Sequence, residues 1–195
     1  MIITIFGVPG AGKTTVGKKL ANRLDYDFLS GGDIRGEIAK GLGLTIDELN
    51  ELAKEDQEYH RKVDREWKRI AQKEDNKVID SWIAYHFIPN SFKVYLDVKA
   101  EEGAKRVYNN QRSDEKPQDS IETTQEMLRK RVESTAQFFS EIYHVDFQDK
   151  LQYDLYINTT SITIDEVVGI IYSAIEDKIK AEDQRKTYKP TEATN

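Results

Sequence analysis

The chain has 195 residues, 38% of them hydrophobic, which suits one core and leaves too little apolar material for two independent domains. Its 35 acidic and 29 basic residues leave a net charge of −6, a poor balance for a dedicated nucleic-acid or anionic-membrane binder. The absence of cysteine excludes disulfides, thiolate metal sites and cysteine nucleophiles, and His60, His86 and His144 are too far apart to make a metal-ligand pair.

Met1 to Phe6 is an apolar run closed by Gly7-Val-Pro-Gly10 and reads as a buried strand ending in a turn. It has no basic leader ahead of it, and nowhere does the chain reach the ~18 apolar residues of a membrane span. A cytoplasmic, monomeric protein without membrane or nucleic-acid partners is the expectation. Thr14 to Leu24 follows as a helix with Val16, Leu20, Ala21 and Leu24 on one face. Phe28-Leu29 is a second strand, closed by Ser30-Gly31-Gly32, and a helix is expected to start near Asp33 as its N-cap.

Thr45 to Lys73 is highly charged, opens on the capping box Thr45-Ile-Asp-Glu48, and predicts a helical pair with one solvated face. Lys77 to Asp80 is a third strand and Phe92 to Val98 a fourth. Helical patterns run from Glu101 to about Gln111 and from Ile121 to His144, with the polar stretch Arg112 to Ser120 between them. Tyr153 to Ile157 is a fifth strand. Thr163-Ile-Asp-Glu166 is a second capping box, heading a helix with Ile164, Val167, Val168, Ile171 and Ile175 on one side. The apolar pattern stops near Lys180, so 181–195 is expected to be a flexible tail. Strands alternating with helices over 1–180 predict an α/β fold around a largely parallel sheet.

The strongest chemical signal is Gly7-Val-Pro-Gly-Ala-Gly12-Lys13-Thr14, a complete G-x-x-x-x-G-K-[ST] between an apolar strand and an amphipathic helix. Such a loop lets successive backbone N–H groups surround an anion, with a helix N-terminus aimed at it. Gly7, Gly10, Ala11, Gly12, Lys13, Thr14 and Thr15 are therefore the candidate residues for ATP phosphates, although Gly10 adds little information on its own. Lys13 would reach the β- and γ-phosphates, and Thr14 would place its hydroxyl on Mg²⁺. Two acids fit beside it. Asp80 ends the third strand, where Mg²⁺ and its water shell need a carboxylate, and Asp33 follows the second strand at the same crevice.

With these residues in place, the chain resembles the nucleoside monophosphate kinases, most closely the archaeal-type cytidylate kinases. The resemblance is carried by Gly7 to Thr15, Ser30-Gly-Gly-Asp-Ile34 and Thr45 to Asn50, and more specifically by Glu141-Ile-Tyr-His-Val-Asp146, Tyr153-Asp-Leu-Tyr-Ile-Asn-Thr159 and Asp165-Glu-Val-Val168. It implies a five-stranded parallel P-loop kinase core, an acceptor-binding helical insert at 33–73 and a lid at 108–135. It also implies transfer of the γ-phosphoryl of ATP to a nucleoside monophosphate, with CMP or dCMP as the first expectation.

The arginines are where the chain departs from that family. The arginine that grips the acceptor phosphate is expected three residues after Gly-Asp, where this chain has Gly36, and Arg35 stands one position early. One residue along a helix is about 100° of rotation, which would turn Arg35 away. After the third strand, the family's acid-Gly-Arg is Asp80-Ser81-Trp82, so Trp82 either stacks on a substrate base or packs in the core. In the lid, Arg106 and Arg131 match arginines of the family and, with Lys13, are the candidates for neutralising transferred charge. Their usual companions are Asn110 and Phe138 here, with Arg112 near enough to substitute. Neither Trp nor Phe replaces a bidentate guanidinium. The competing expectation is thus a nucleotide-binding protein or slow ATPase of the same fold, its acceptor lost or redirected.

Overall fold

Strand β1 (Ile2–Gly7) is buried along its whole length, so both its faces need cover. Side chains alternate across a strand, and Ile3 and Ile5 enter one apolar cluster while Ile2 and Phe6 enter the other. A computed structural model describes residues 1–45, 48–49, 52, 56–73, 75–111 and 117–187. After β1 come α1 (Lys13–Leu24), β2 (Asp27–Ser30), α2 (Gly31–Gly41), α3 (Gln57–Lys73), β3 (Lys77–Asp80) and the single-turn α4 (Ala84–Phe87). Then follow β4 (Phe92–Asp97), α5 (Ala100–Asn109), α6 (Ile121–Tyr143), β5 (Leu155–Asn158) and α7 (Ile164–Thr187).

The sheet has the order β2-β3-β1-β4-β5, and each pair is parallel. Parallel pairing requires crossovers, and helices supply them on both faces. On one face Val16, Leu20 and Ala21 of α1 and Val167, Val168, Ile171 and Ile175 of α7 cover Ile3, Ile5, Val94 and Leu96. The other face is aromatic: Val63, Trp67 and Ile70 of α3, Tyr85 of α4 and Phe139 of α6 close over Phe6, Ile79 and Tyr95. Lys19 pairs with Asp165 at 2.7 Å and Arg23 lies 3.9 Å over the Tyr172 ring, so the solvated side of α1 also touches α7. No helix among the described residues is long and apolar enough to cross a membrane.

Both capping boxes form. The Thr45 N–H donates to Glu48 at 2.7 Å and the Glu48 N–H to the Thr45 hydroxyl at 3.2 Å, and Thr163 and Glu166 do the same. Three expectations need correction. Asp33 is not an N-cap: α2 begins two residues earlier, and the Ser30 hydroxyl accepts from the Asp33 N–H at 3.0 Å. Ser30→Ala is expected to cost about 1 kcal/mol, seen as a melting temperature lower by about 2–4 °C. Helix α7 continues to Thr187, past the point near Lys180 where the apolar pattern stops. The fifth strand starts at Leu155 and not Tyr153, because a 3-10 turn at Lys150–Gln152 precedes it and the Tyr153 hydroxyl is tied back to the Phe147 carbonyl at 2.7 Å.

Candidate active site

The phosphate loop is held open by glycines that the neighbouring backbone permits nowhere else. Gly7 has φ +151°, and a Cβ there would meet the Leu96 carbonyl oxygen at 1.9 Å. Gly10 has φ +78°, and its Cβ would lie 2.4 Å from the carbonyl oxygen of Gly103 on α5. The two glycines pack backbone to backbone, so Gly10 is far more constrained than its place inside the motif implies. A glycine inside the helical pattern of 100–109 was the available signal for this close approach. Ala11 is buried, Gly12 is the left-handed N-cap of α1, and Thr15 is exposed on the first turn. The unpaired first-turn N–H groups of a helix starting at such a loop are an anion site.

Lys13 rests with its ammonium donating to the Val8 carbonyl at 3.0 Å, and it lies 5.6 Å from the centre of the Trp82 ring. Thr14 donates its hydroxyl to Asp80 at 2.5 Å. Asp80 is registered opposite Ile5 on one side and Ser30 on the other, so it stands at the edge where β1, β2 and β3 end. Asp33 stands exposed in the first turn of α2, just beyond Ser30. These are hard oxygen donors, and no group of three or more acids or histidines among the described residues could hold a cation unaided. The set fits Mg²⁺, which keeps waters and takes one or two carboxylates together with substrate phosphates.

Trp82 packs in the aromatic core, the second of the two readings open to it. Half-buried, it packs edge-on against Phe6 at 5.6 Å and Phe147 at 5.8 Å, and it faces Lys13. Arg106 reaches the loop as a strap. Its guanidinium donates to the Gly10 carbonyl at 3.3 Å, to the Thr159 carbonyl at 2.9 Å, to the Thr160 carbonyl at 3.3 Å and to Glu102 at 3.0 Å. These bonds join α5, the phosphate loop and the turn after β5. Arg106 in this conformation positions the loop. Arg106→Lys keeps the charge but loses the fork. We expect it to cost about 2–3 kcal/mol in thermal unfolding and to weaken binding of a non-hydrolysable ATP analogue by calorimetry.

Arg35 is half-buried, and its neighbours are Asp64 of α3 and Tyr143 of α6. Burial holds its guanidinium below the ordinary arginine range, with Tyr143 and Asp64 opposing that shift. The 100° displacement therefore turns it into a side-chain cluster and not into solvent. Sequence reading assigned no individual role to Asp64 or Tyr143. In the fold the Tyr143 hydroxyl donates to Asp64 at 2.9 Å. Burial raises the Asp64 carboxyl and pushes the Tyr143 phenol well above its usual value. Arg131 is exposed in the middle of α6, its carbonyl accepting from Ser134 and Thr135. Arg129 and Lys130 share Glu126 and belong to the solvated face of that helix. Arg112 lies outside the described residues.

Residues 2–161 match the model of the cytidylate kinase-like family. A cytidylate kinase from Natronomonas pharaonis is 35% identical over 191 residues, covering 96% of this chain and 95% of the relative. An S-adenosylmethionine-dependent nucleotide dehydratase from Lacinutrix mariniflava is 35% identical over 170 residues, which is 87% of this chain but 34% of that longer protein. Among solved structures, shikimate kinase from Bacteroides thetaiotaomicron superimposes with a TM-score of 0.60 at 19% identity, covering 90% of this chain and 98% of that one. That likeness concerns the fold, an α/β P-loop kinase sheet with helices on both faces. The loop at the end of β1, the acid at the end of β3 and the match along nearly the whole chain agree, and the protein belongs to the cytidylate kinase-like family.

Proposed function

We propose that this chain transfers the γ-phosphoryl group of Mg-ATP to a nucleoside monophosphate, with CMP or dCMP as the first acceptor. The observation that carries the reading is the contact of Thr14 with Asp80 directly beside the Lys13 loop, an oxygen pair of the kind that holds a phosphate-bound cation. The names of the relatives support a nucleotide acceptor. Phosphoryl transfer demands mainly positioning and charge neutralisation, with the attacking and leaving oxygens in line. The first-turn N–H groups of α1 bind the donor phosphates. Lys13 leaves the Val8 carbonyl for the β- and γ-phosphate oxygens. Thr14, Asp80 and Asp33 would hold Mg²⁺, which would supply positive charge to offset that of the transferring phosphoryl group. Arg131 of α6 is the further candidate for neutralising transferred charge, and exclusion of water from the closed site would remove the competitor of the acceptor.

The test is incubation of the purified chain with Mg-ATP and CMP, dCMP, UMP or AMP, with products separated by chromatography and Lys13→Ala run in parallel. A nucleoside diphosphate that the variant does not make is the expected result. ADP without a new diphosphate would replace the reading with ATP hydrolysis. That second reading, a nucleotide-binding protein or slow ATPase, has one observation in its favour. Trp82 occupies the place of an acceptor arginine and is packed against Phe6 and Phe147. Tight ATP binding with no response to any monophosphate would establish it.

A further inference from the structure

We propose that Thr159, just past the end of β5, is a positioning residue for the donor phosphates: its hydroxyl holds the Ala11 carbonyl and thereby aims the Gly12 N–H into the phosphate loop. The inference rests on the Mg-ATP donor reading and adds a residue 148 positions away from the loop that it serves.

Topology brings the two together. Strand β4 lies between β1, which ends at the loop, and β5. Asn158 is registered opposite Asp97, and the Thr159 N–H carries that pairing one bond further, donating to the Asp97 carbonyl at 2.8 Å. Thr159 is buried there, with 2% of its surface exposed. Its hydroxyl is within reach of the Asp97 carbonyl at 2.9 Å and the Ala11 carbonyl at 3.3 Å, and it accepts from the Arg106 guanidinium at 3.3 Å.

A hydroxyl has one proton, so the two carbonyls compete for it. Distance alone favours Asp97, but satisfaction favours Ala11. The Asp97 carbonyl keeps the Thr159 N–H in either case. The Ala11 carbonyl has no such reserve. Ala11 is fully buried, and the ladder of α1 begins one residue later, where the Val16 N–H donates to the Gly12 carbonyl at 2.9 Å. A buried carbonyl left without a donor is costly, which draws the hydroxyl proton to Ala11.

Peptide geometry converts that bond into a direction. In a planar trans peptide the C=O and the following N–H point to opposite sides. Holding the Ala11 carbonyl toward β5 therefore turns the Gly12 N–H away from β5. Handedness agrees, because Gly10 and Gly12 have φ of +78° and +88° while Ala11 between them has no positive φ. Such alternation is the backbone form in which successive N–H groups line an anion-binding concavity. The Gly12 N–H has no acceptor among the described residues, whereas the Ala11 N–H is turned back onto the Val8 carbonyl at 3.3 Å. Arg106 does not duplicate the role, since its contact fixes the Gly10 carbonyl, one peptide earlier.

Thr159→Val keeps the branched shape and removes the hydroxyl, and Thr159→Ser keeps the hydroxyl. The test measures Mg-ADP binding to the full chain by calorimetry, KM for ATP and for CMP, and the Gly12 amide resonance in isotope-labelled protein. Thr159→Val is expected to weaken Mg-ADP and raise the ATP KM about tenfold, the scale of one hydrogen bond to a charged group, with kcat and the CMP KM within about threefold. Thr159→Ser is expected to stay within about threefold of wild type throughout. The Gly12 amide proton should move downfield on saturation with Mg-ADP in wild type and in the serine variant, and by a smaller shift in the valine variant. A merely structural role would lower the melting temperature and leave that shift unchanged. If Thr159→Val fails to fold, the wild-type resonance decides, and a Gly12 amide that does not move would overturn the inference. Equal Mg-ADP affinity in the valine variant, or equal losses in both variants, would also overturn it, while CDP formation by wild type keeps the kinase reading. Hydroxyl-dependent binding of Mg-ADP without any CDP would refute the kinase reading and leave the inference standing. Wild type that binds no Mg-ADP would overturn the inference outright.

Discussion

Lys13→Ala is expected to lower phosphoryl transfer by about a hundred- to a thousandfold and to leave the fold in place. The side chain sits at the surface of the loop, donating to Val8 and lying over Trp82, so its removal opens no cavity in either apolar cluster. What is lost is a point charge that strengthens its contacts as charge moves from the γ-phosphate to the leaving oxygen. Such a contact acts more on kcat than on KM, because it is stronger in the transition state than in the ground state. Steady-state kinetics beside a melting curve checks this. Unchanged melting with kcat above about a tenth of wild type would show that the loop's N–H groups carry the step without the lysine.

Gly10→Ala is the second large effect, and it acts on the scaffold. The left-handed conformation costs an L-residue about 1–2 kcal/mol. The added carbon would also lie 2.4 Å from a carbonyl oxygen of α5, a backbone atom that cannot rotate away. With overpacking included, a total near 3 kcal/mol is expected, or a melting temperature lower by about 6–12 °C. Affinity for an ATP analogue should fall with it, since the Arg106 strap is anchored on the Gly10 carbonyl. Gly169→Ala is the control. It lies in α7 with open space where its Cβ would go, so the helix should gain about 0.5–1 kcal/mol. A Gly10→Ala protein that melts like wild type would mean that α5 moves aside and that the glycine contact does not set the loop.

The phosphate loop and the alternation of strands and helices were legible because each is written within a short window. Eight consecutive residues specify the turn that Gly7 to Thr14 makes, and periodicity over four to a dozen residues separates strand from helix. The capping boxes at Thr45 and Thr163 are equally local, each closed over three residues. Where local reading slipped, a competing local partner decided. Ser30 and Asp33 are both acceptable caps, and only the backbone geometry at the end of β2 chose the serine. Arg106 looked like a mobile lid arginine until the turn after β5, 53 residues away, supplied carbonyls for it.

The cluster of Arg35, Asp64 and Tyr143 belongs to a different order of information. Tyr143 and Asp64 are 79 positions apart, and Arg35 comes from a third helix, so no window contains them. A shift of one residue predicts only that Arg35 rotates by about 100°; what it meets there depends on how α2, α3 and α6 pack on the aromatic face of the sheet. The chain order alone established an α/β P-loop scaffold with its phosphate loop, because that information is contiguous. The cluster of Arg35, Asp64 and Tyr143 was decided by helix packing, because each of its side chains is placed by a different crossover and meets the others only when those crossovers meet.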